Sequence, residues 1–430
     1  MRDVAIVSAV RTAIGKGGKG TLKDTRPDTL AGHVLRAAVE RSGVKPADIE
    51  EVTLGCAMPE AEQGMNVARI AMFLAGLPET TSAATLNRFC SSGLNAVADV
   101  AKSIMVGQIE LGIGGGVESM SLVPMGGHKP SANPELMEEH PGVYTPMGIT
   151  AENVANKFGV SRADQDAFAL ESHKRASNAI EKGLFKDEIV SVDVDVWDES
   201  GKKHRVSFAQ DEGPRPDSTL EALAKLRPVF DAKGSVTAGN SSQVSDGAAA
   251  VVLTSVDYAK THGIVDPVRV AAVSTVTPTF PNTVIDMPLL STDSSAITGV
   301  PDRTFKESIG QAAYEEAGIG PDDVDVAEVY DLSTALELDW IEDLQLCGRG
   351  EAEALLRAGD TTIGGRIPVN PSGGLACFGE AVPAQAIAQV CELTWQLRGQ
   401  ATGRQVEGAR VGITANQGLF GHGSSVLLVK

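Results

Sequence analysis

Cysteine is scarce in this chain. Five are present in 430 residues, Cys56, Cys90, Cys347, Cys377 and Cys391, and no pair falls at a metal-binding spacing. That excludes a disulfide framework and a cysteine-based metal site, and the expectation is that no metal is bound. Basic charge is also in short supply: 37 Lys and Arg stand against 56 Asp and Glu, a formal net charge of −19. A broad nucleic-acid footprint is thereby excluded, whereas a phosphate-bearing ligand needs only a few local arginines and helix N-termini. Long hydrophobic runs are missing as well. The opening "MRDVAIVSAVRTAIG" has one short apolar run followed by charge, so it reads as neither an export signal nor a membrane span. The ending "SSVLLVK" is strand-like, without an evident address. The expectation is a cytoplasmic protein with reduced thiols.

What is present is a chain long enough for two or three packed domains, 42% apolar and with 46 glycines, a composition suited to close-packed α/β layers. Strand candidates "DVAIVSAV", "EEVTLGC" and "ELGIGGGVE", then "AEVYDL" and "ARVGITANQ", are separated by helical patterns, which implies mostly parallel sheets covered by helices. The chain also repeats itself. "AAVERSGVKPADIEEVTLG" from Ala37 and "AAYEEAGIGPDDVDVAEVY" from Ala312 share six identities at a constant offset of 275. Each copy reads as an amphipathic helix ending at glycine, a proline turn and a β-branched strand, so duplication is preferred to convergence of αβ junctions. Residues 119–245 differ in texture, with a Pro/Gly-rich stretch, a helical pattern and a polar strand pattern. The expected organisation is a first half at 1–118 plus 246–270, an inserted loop or lid domain at 119–245, and a second half at 271–430.

One cysteine is oddly placed. In "LNRFCSSGLNAVADVAKSIMVGQ" (86–108), Leu94, Val97, Val100, Ile104 and Met105 make a helical apolar stripe, but Cys90 lies at the opening of the element. It reads either as a small buried residue at a tight turn or as a nucleophile whose thiolate is favoured by the free N–H groups of a first turn.

"NRFCSSGLNAV" resembles the nucleophile stretch of the thiolase family, with Cys90 in the nucleophilic position. "GGGVESMS" (114–121), "MGITAENVA" (147–155) and "VTAGNSSQVSDGAAAVVL" (236–253) are similar to degradative 3-ketoacyl-CoA thiolases. "VNPSGGL" (369–375) continues the resemblance, and "AQVCELTWQLRGQATGRQVEGARV" (388–411) is more similar to the sterol-carrier-protein-associated branch. The two flavours meet near 260–275, as they would in a natural mosaic or a constructed chimera. The resemblance implies an α/β thiolase fold, two similar halves in a five-layered α-β-α-β-α arrangement with an inserted loop domain, and a homodimer or homotetramer. It implies an acetyl-CoA C-acyltransferase that forms an acyl-enzyme on Cys90, with CoA and acyl-CoA thioesters as substrates and no tightly bound cofactor. It also places Arg227 of "KLRPVF" beside the CoA nucleotide, Ser242 of "AGNSSQ" along the pantetheine arm, and Met147 in the acyl pocket.

The acid/base groups depart from the family. Where thiolases carry the histidine of "GHP", this chain has Glu380 in "NPSGGLACFGEAVP"; where they carry "NEAF" or "HDCF", it has "VYDLSTA", with Tyr330 replacing the asparagine or histidine. The late "CxGxG" cysteine is replaced by "ITANQGLFGHG". His422 in that terminal loop is the expected substitute base, ahead of Glu380, since its ordinary pKa already suits proton exchange near neutrality. Cys377 is a candidate second thiol, Cys391 a core residue, and Tyr330 a donor to an enolate oxygen. Two other functions stay open: a thiolase-fold carbon–carbon lyase on acyl-CoA, of the steroid side-chain type and completed by a small zinc-ribbon/OB partner, and a non-catalytic acyl-CoA-binding protein.

Overall fold

The computed structural model describes residues 1–139, 141–276, 308–348 and 350–430. Part of the expected second half, 277–307, therefore lies outside the described residues. Nine strands form the main path of one sheet: β1 (Val4–Thr12), β2 (Glu51–Gly55), β3 (Ser82–Leu86), β4 (Leu111–Ser119), β5 (Ser245–Ser255), β6 (Val268–Val276), β7 (Val326–Val329), β8 (Val411–Gly418) and β9 (His422–Val429). Their order is β7-β8-β9-β6-β1-β5-β4-β2-β3. The two halves join where β1 and β6 run antiparallel, with Val4 opposite Val270.

β5 shows why its run of small apolar residues must be a strand buried on both faces. Ala248, Ala250 and Val252 enter one core, while Ala249, Val251 and Leu253 enter another. The first core packs the sheet against the helices Pro27–Ser42 and Val67–Leu74, through Leu30, Val34, Leu35 and Met72. The second holds the helices Ser92–Met105 and Pro383–Leu397 against strands of both halves, through Leu94, Val97, Ile387 and Val390 facing Ile6, Val326 and Val426. A third packs the helices Ile309–Ala317 and Thr334–Asp343 on the outer face of the second half, through Ile309, Leu336 and Trp340. Helix, one half of the sheet, paired helices, the other half of the sheet, helix: these are the five layers. The sheet is one mixed sheet in which five of the eight neighbouring pairs on the main path are antiparallel, not the mostly parallel sheets expected.

The internal repeat is structural. The helix Pro27–Ser42 ends at Gly43 (φ 72°), a 3-10 turn covers Pro46–Asp48, and β2 follows; the helix Ile309–Ala317 ends at Gly318 (φ 71°), a turn covers Pro321–Asp323, and β7 follows. Glycine takes the left-handed conformation without a Cβ clash, so it stops each helix at the same point.

The chain between β4 and β5 carries the helices Met147–Phe158 and Arg162–Glu181 and a separate two-stranded ribbon, Val192–Trp197 with Lys203–Phe208. A buried ion network ties this segment to the sheet and the paired helices: Arg11 bonds Glu188 and Asp211, and Arg404 bonds Glu188 and Glu392.

Candidate active site

The paired central helices begin at the same end of the molecule, and each start carries a chemical group. On the first, β3 ends at Leu86 and the chain turns sharply. Asn87 Nδ2 donates to Ala57 O at 3.0 Å, Phe89 N donates to Asn87 Oδ1 at 2.8 Å, and Arg88 N donates to Ser92 Oγ at 2.7 Å. Phe89 is driven to φ 50°, a conformation that disfavours a bulky side chain, so these bonds hold a strained turn. Cys90 follows in the 3-10 turn Phe89–Ser91 that runs into the helix Ser92–Met105, as the helical stripe implies. Ser91 Oγ bonds Ser424 Oγ at 2.6 Å and anchors the turn to β9.

On the second, Asp331 accepts from Leu375 N at 2.7 Å and Ala376 N at 3.3 Å, fixing the short helix Leu375–Phe378. Gly374 sits at φ 82°, and a Cβ there would lie 2.1 Å from an Asp331 oxygen, so only glycine lets the carboxylate come this close. Glu380 follows; its N–H donates to Gln243 O at 2.7 Å, and the strained Val382 (φ 42°) opens the helix Pro383–Leu397.

These two turns bring Cys90, Glu380 and Tyr330 together. The Tyr330 hydroxyl donates to Glu380 Oε1 at 2.8 Å, and the Cys90 thiol is close enough to both that each shifts its proton affinity. All three are buried. Burial pushes the Cys90 thiol well above its ordinary range, the Glu380 charge pushes it further, and the Tyr330 hydroxyl pulls it back. The expectation that a helix start favours the thiolate is therefore corrected: desolvation and a facing carboxylate outweigh the first-turn N–H groups, and the resting group is a thiol. Burial also raises the Glu380 carboxyl, while its bonds from Cys90 and Tyr330 hold the rise back. The arrangement is a neutral thiol poised against a carboxylate whose proton affinity is enhanced, which suits base-assisted attack.

The other residues singled out from the sequence fall in three places. Met147, Ser242 and Glu380 line one cavity of about 220 Å³, together with Met120, Phe230 and Leu332. Arg227 is exposed, three residues before Phe230 in the same segment. Cys377 points away from the thiol site: its Sγ bonds Gly374 O at 3.2 Å, it packs in the first core, and burial pushes it up. Cys391 is in the core between the paired helices, as expected. His422 starts β9, half-buried, with its pKa lowered by burial and by Arg88; among the described residues it has no hydrogen bond to Cys90, Tyr330 or Glu380. Glu380, rather than His422, is the group that meets the thiol.

Sequence reasoning passed over Glu118, although it lies in the quoted "GGGVESMS". Its buried carboxyl accepts from Ala57 N at 2.7 Å, Met58 N at 3.2 Å and Gln63 Nε2 at 2.5 Å, directly behind the Cys90 turn. A lone acidic residue inside a glycine-rich strand was the available signal, since a charge in a strand buried on both faces needs a purpose. Among the described residues, no group of three or more His, Cys, Asp or Glu side chains could hold a metal ion. No described helix is long and apolar enough to cross a membrane.

The fold and this site define an acyl-transferring enzyme of the α/β class with a cysteine at the mouth of paired helices. Residues 4–257 match the model of the thiolase N-terminal domain and residues 291–430 that of the thiolase C-terminal domain-like family. The chain belongs to the thiolase family. It is 49% identical over 274 residues to a 3-ketoacyl-CoA thiolase of Bacillus subtilis, covering 63% of this chain and 70% of that one. With the peroxisomal 3-ketoacyl-CoA thiolase A of Rattus norvegicus it shares 38% over 404 residues, 92% of this chain and 83% of the other. The crystal structure of the Bacillus anthracis acetyl-CoA acetyltransferase superposes with a TM-score of 0.77 at 30% identity, covering 100% of this chain and 99% of that one.

Proposed function

We propose that this thiolase cleaves a 3-ketoacyl-CoA through an acyl-enzyme on Cys90, with Glu380 in place of the usual histidine base. The observation that carries the reading is the contact of the Cys90 thiol with Glu380 and Tyr330. As Sγ attacks the ketone carbon, its proton passes to the Glu380 carboxylate, so no free thiolate has to form in a buried, negatively charged site. The C2–C3 bond then breaks, the acyl group stays on sulfur, and the acetyl-CoA enolate takes the proton from Glu380 at its carbon as it leaves. In the second half-reaction a CoA thiol passes its proton to the Glu380 carboxylate as it attacks the thioester; the bond to Cys90 Sγ breaks, and Sγ takes that proton back.

Tyr330 holds Glu380 toward the sulfur and, once Glu380 is protonated, its hydroxyl is free to donate to a developing oxyanion. Glu380 lines the cavity of about 220 Å³, and Met147 and Ser242 on the same wall suit an acyl chain and a pantetheine arm. The exposed Arg227 suits a nucleotide phosphate at the entrance.

Incubation with a 3-ketoacyl-CoA should add one acyl mass to the peptide containing Cys90, and C90A should lose both the label and turnover. Label found on Cys377 instead, or turnover surviving in C90A, would overturn the acyl-enzyme. The second of these outcomes would favour the carbon–carbon lyase reading, in which the Tyr330–Glu380 pair acts without the thiol.

A further inference from the structure

We propose that Glu118 is a positioning residue behind the nucleophile: its carboxyl group holds the turn that presents Cys90. The inference rests on the reading of Glu380 as base. Glu118 is fully buried at the end of β4. Its oxygens collect the Ala57 and Met58 N–H groups and the Gln63 amide, and the Cys56 thiol approaches to 3.9 Å. Ala57 in turn accepts from Asn87, whose side chain accepts from the strained Phe89, the residue before Cys90. One carboxyl therefore anchors a relay of hydrogen bonds ending at the nucleophile's turn. The neighbouring acid Asp246 has no part in the relay, being engaged with Ser119 and Ser121.

The titratable groups around Glu118 are Cys56, a high-pKa thiol, and Glu380. Burial raises Glu118 to about 7, and Glu380 adds to that rise. Glu380 itself is shifted by burial, Cys90 and Tyr330, and Glu118 is not among the causes. Activity falls on the acid side when Glu380 is protonated. Removing the Glu118 carboxyl should leave that acid limb in place and act through the turn alone.

The test is the pH profile of single-turnover acylation for the full-length enzyme, E118Q, N87A, the double variant E118Q/N87A and E380Q. E118Q should lose about ten- to a hundredfold in acylation rate with little change in the half-saturating substrate concentration, because the turn is misplaced, and its acid limb should stay at the parental pH. N87A cuts the same relay further along, so it should show the same split, and the double variant should lose no more than the larger single loss. If E118Q does not fold, N87A carries the test. A parental rate in both E118Q and N87A, or losses that simply add in the double variant, overturns the positioning role. An E380Q profile identical to that of the parent would instead remove Glu380 as base, a distinct failure.

Discussion

A thiol facing a carboxylate is a poor anion, and this decides how the site can be tested at the scale of single residues. Cys90 is held as a thiol by burial and by Glu380, so the same carboxylate that assists attack on substrate suppresses reaction with small electrophiles. E380Q should therefore move two rates in opposite directions. Alkylation of Cys90 by iodoacetamide at neutral pH should rise, since the opposing charge is gone. Acylation by substrate should fall by about 10²–10⁴, the usual loss for a general base. H422A is the control, with both rates near parental, because its charged neighbour is Arg88 rather than the thiol. Parallel changes in the two rates of E380Q would sink the assignment.

Cys90 was legible as a match to the family's nucleophile stretch, and Tyr330 and Glu380 as departures at family positions, but the ranking of Glu380 against His422 was not. His422 looked better than Glu380 because its ordinary pKa needs no adjustment. What reverses the order is non-local: β9 places His422 beside Arg88, while the backbone of Gln243 seats Glu380 under the sulfur. Neither neighbour is close in sequence, so no local pattern reveals them.

At the scale of elements, the site depends on how closely the paired helices approach. A Cβ on Gly93 would lie 2.2 Å from Pro383 O, and one on Gly116 would lie 2.4 Å from the same atom. These glycines set the distance between the turn bearing Cys90 and the one bearing Glu380. G93A should push the helices apart, destabilise the protein by about 1–3 kcal/mol in urea titration, as overpacking does, and reduce acylation beyond what the stability loss explains. A fully folded G93A with parental acylation would show that the approach does not govern the chemistry.

Here the sequence was most readable. The helix, glycine, proline turn and strand repeated at offset 275 are local patterns, and both copies fold alike. The antiparallel seam between β1 and β6 was not readable, because its partners are separated by more than two hundred residues and both strands are simply apolar. The strain at Phe89 and Val382 was equally hidden, since neither residue is a type that signals a positive φ.

For the whole molecule, the unusual feature is how many carboxyl groups are folded into low-dielectric surroundings in a chain already carrying a net charge of −19. Burial raises Glu118 and Asp331 to about 7 and Glu337 to about 8, and pushes Glu328 well above its ordinary range. The unfolded chain releases these protons near pH 4, so between pH 4 and 8 the folded state binds more protons than the unfolded one. Stability from these groups is then fully present at the acid end and is lost as pH rises through their folded values. His173 works the other way. Burial lowers it to about 4, so its contribution is present above pH 6.5 and lost as pH falls toward 4. His422, lowered by burial and by Arg88, acts in the same direction as His173. These two imidazoles oppose several carboxyls, and general repulsion among negative charges adds to the carboxyls' direction. The unfolding free energy from urea titration should consequently fall between pH 5.5 and 8.5, by about 1.4 kcal/mol per pH unit for each proton the folded state retains, and the midpoint with it. E337Q should flatten that dependence. Glu337 lines a separate cleft of about 500 Å³ with Arg175 and Asn370, so acylation of Cys90 should be little changed in the same variant. A midpoint that is level or rising across this range would mean that these carboxyls ionise freely in the folded protein.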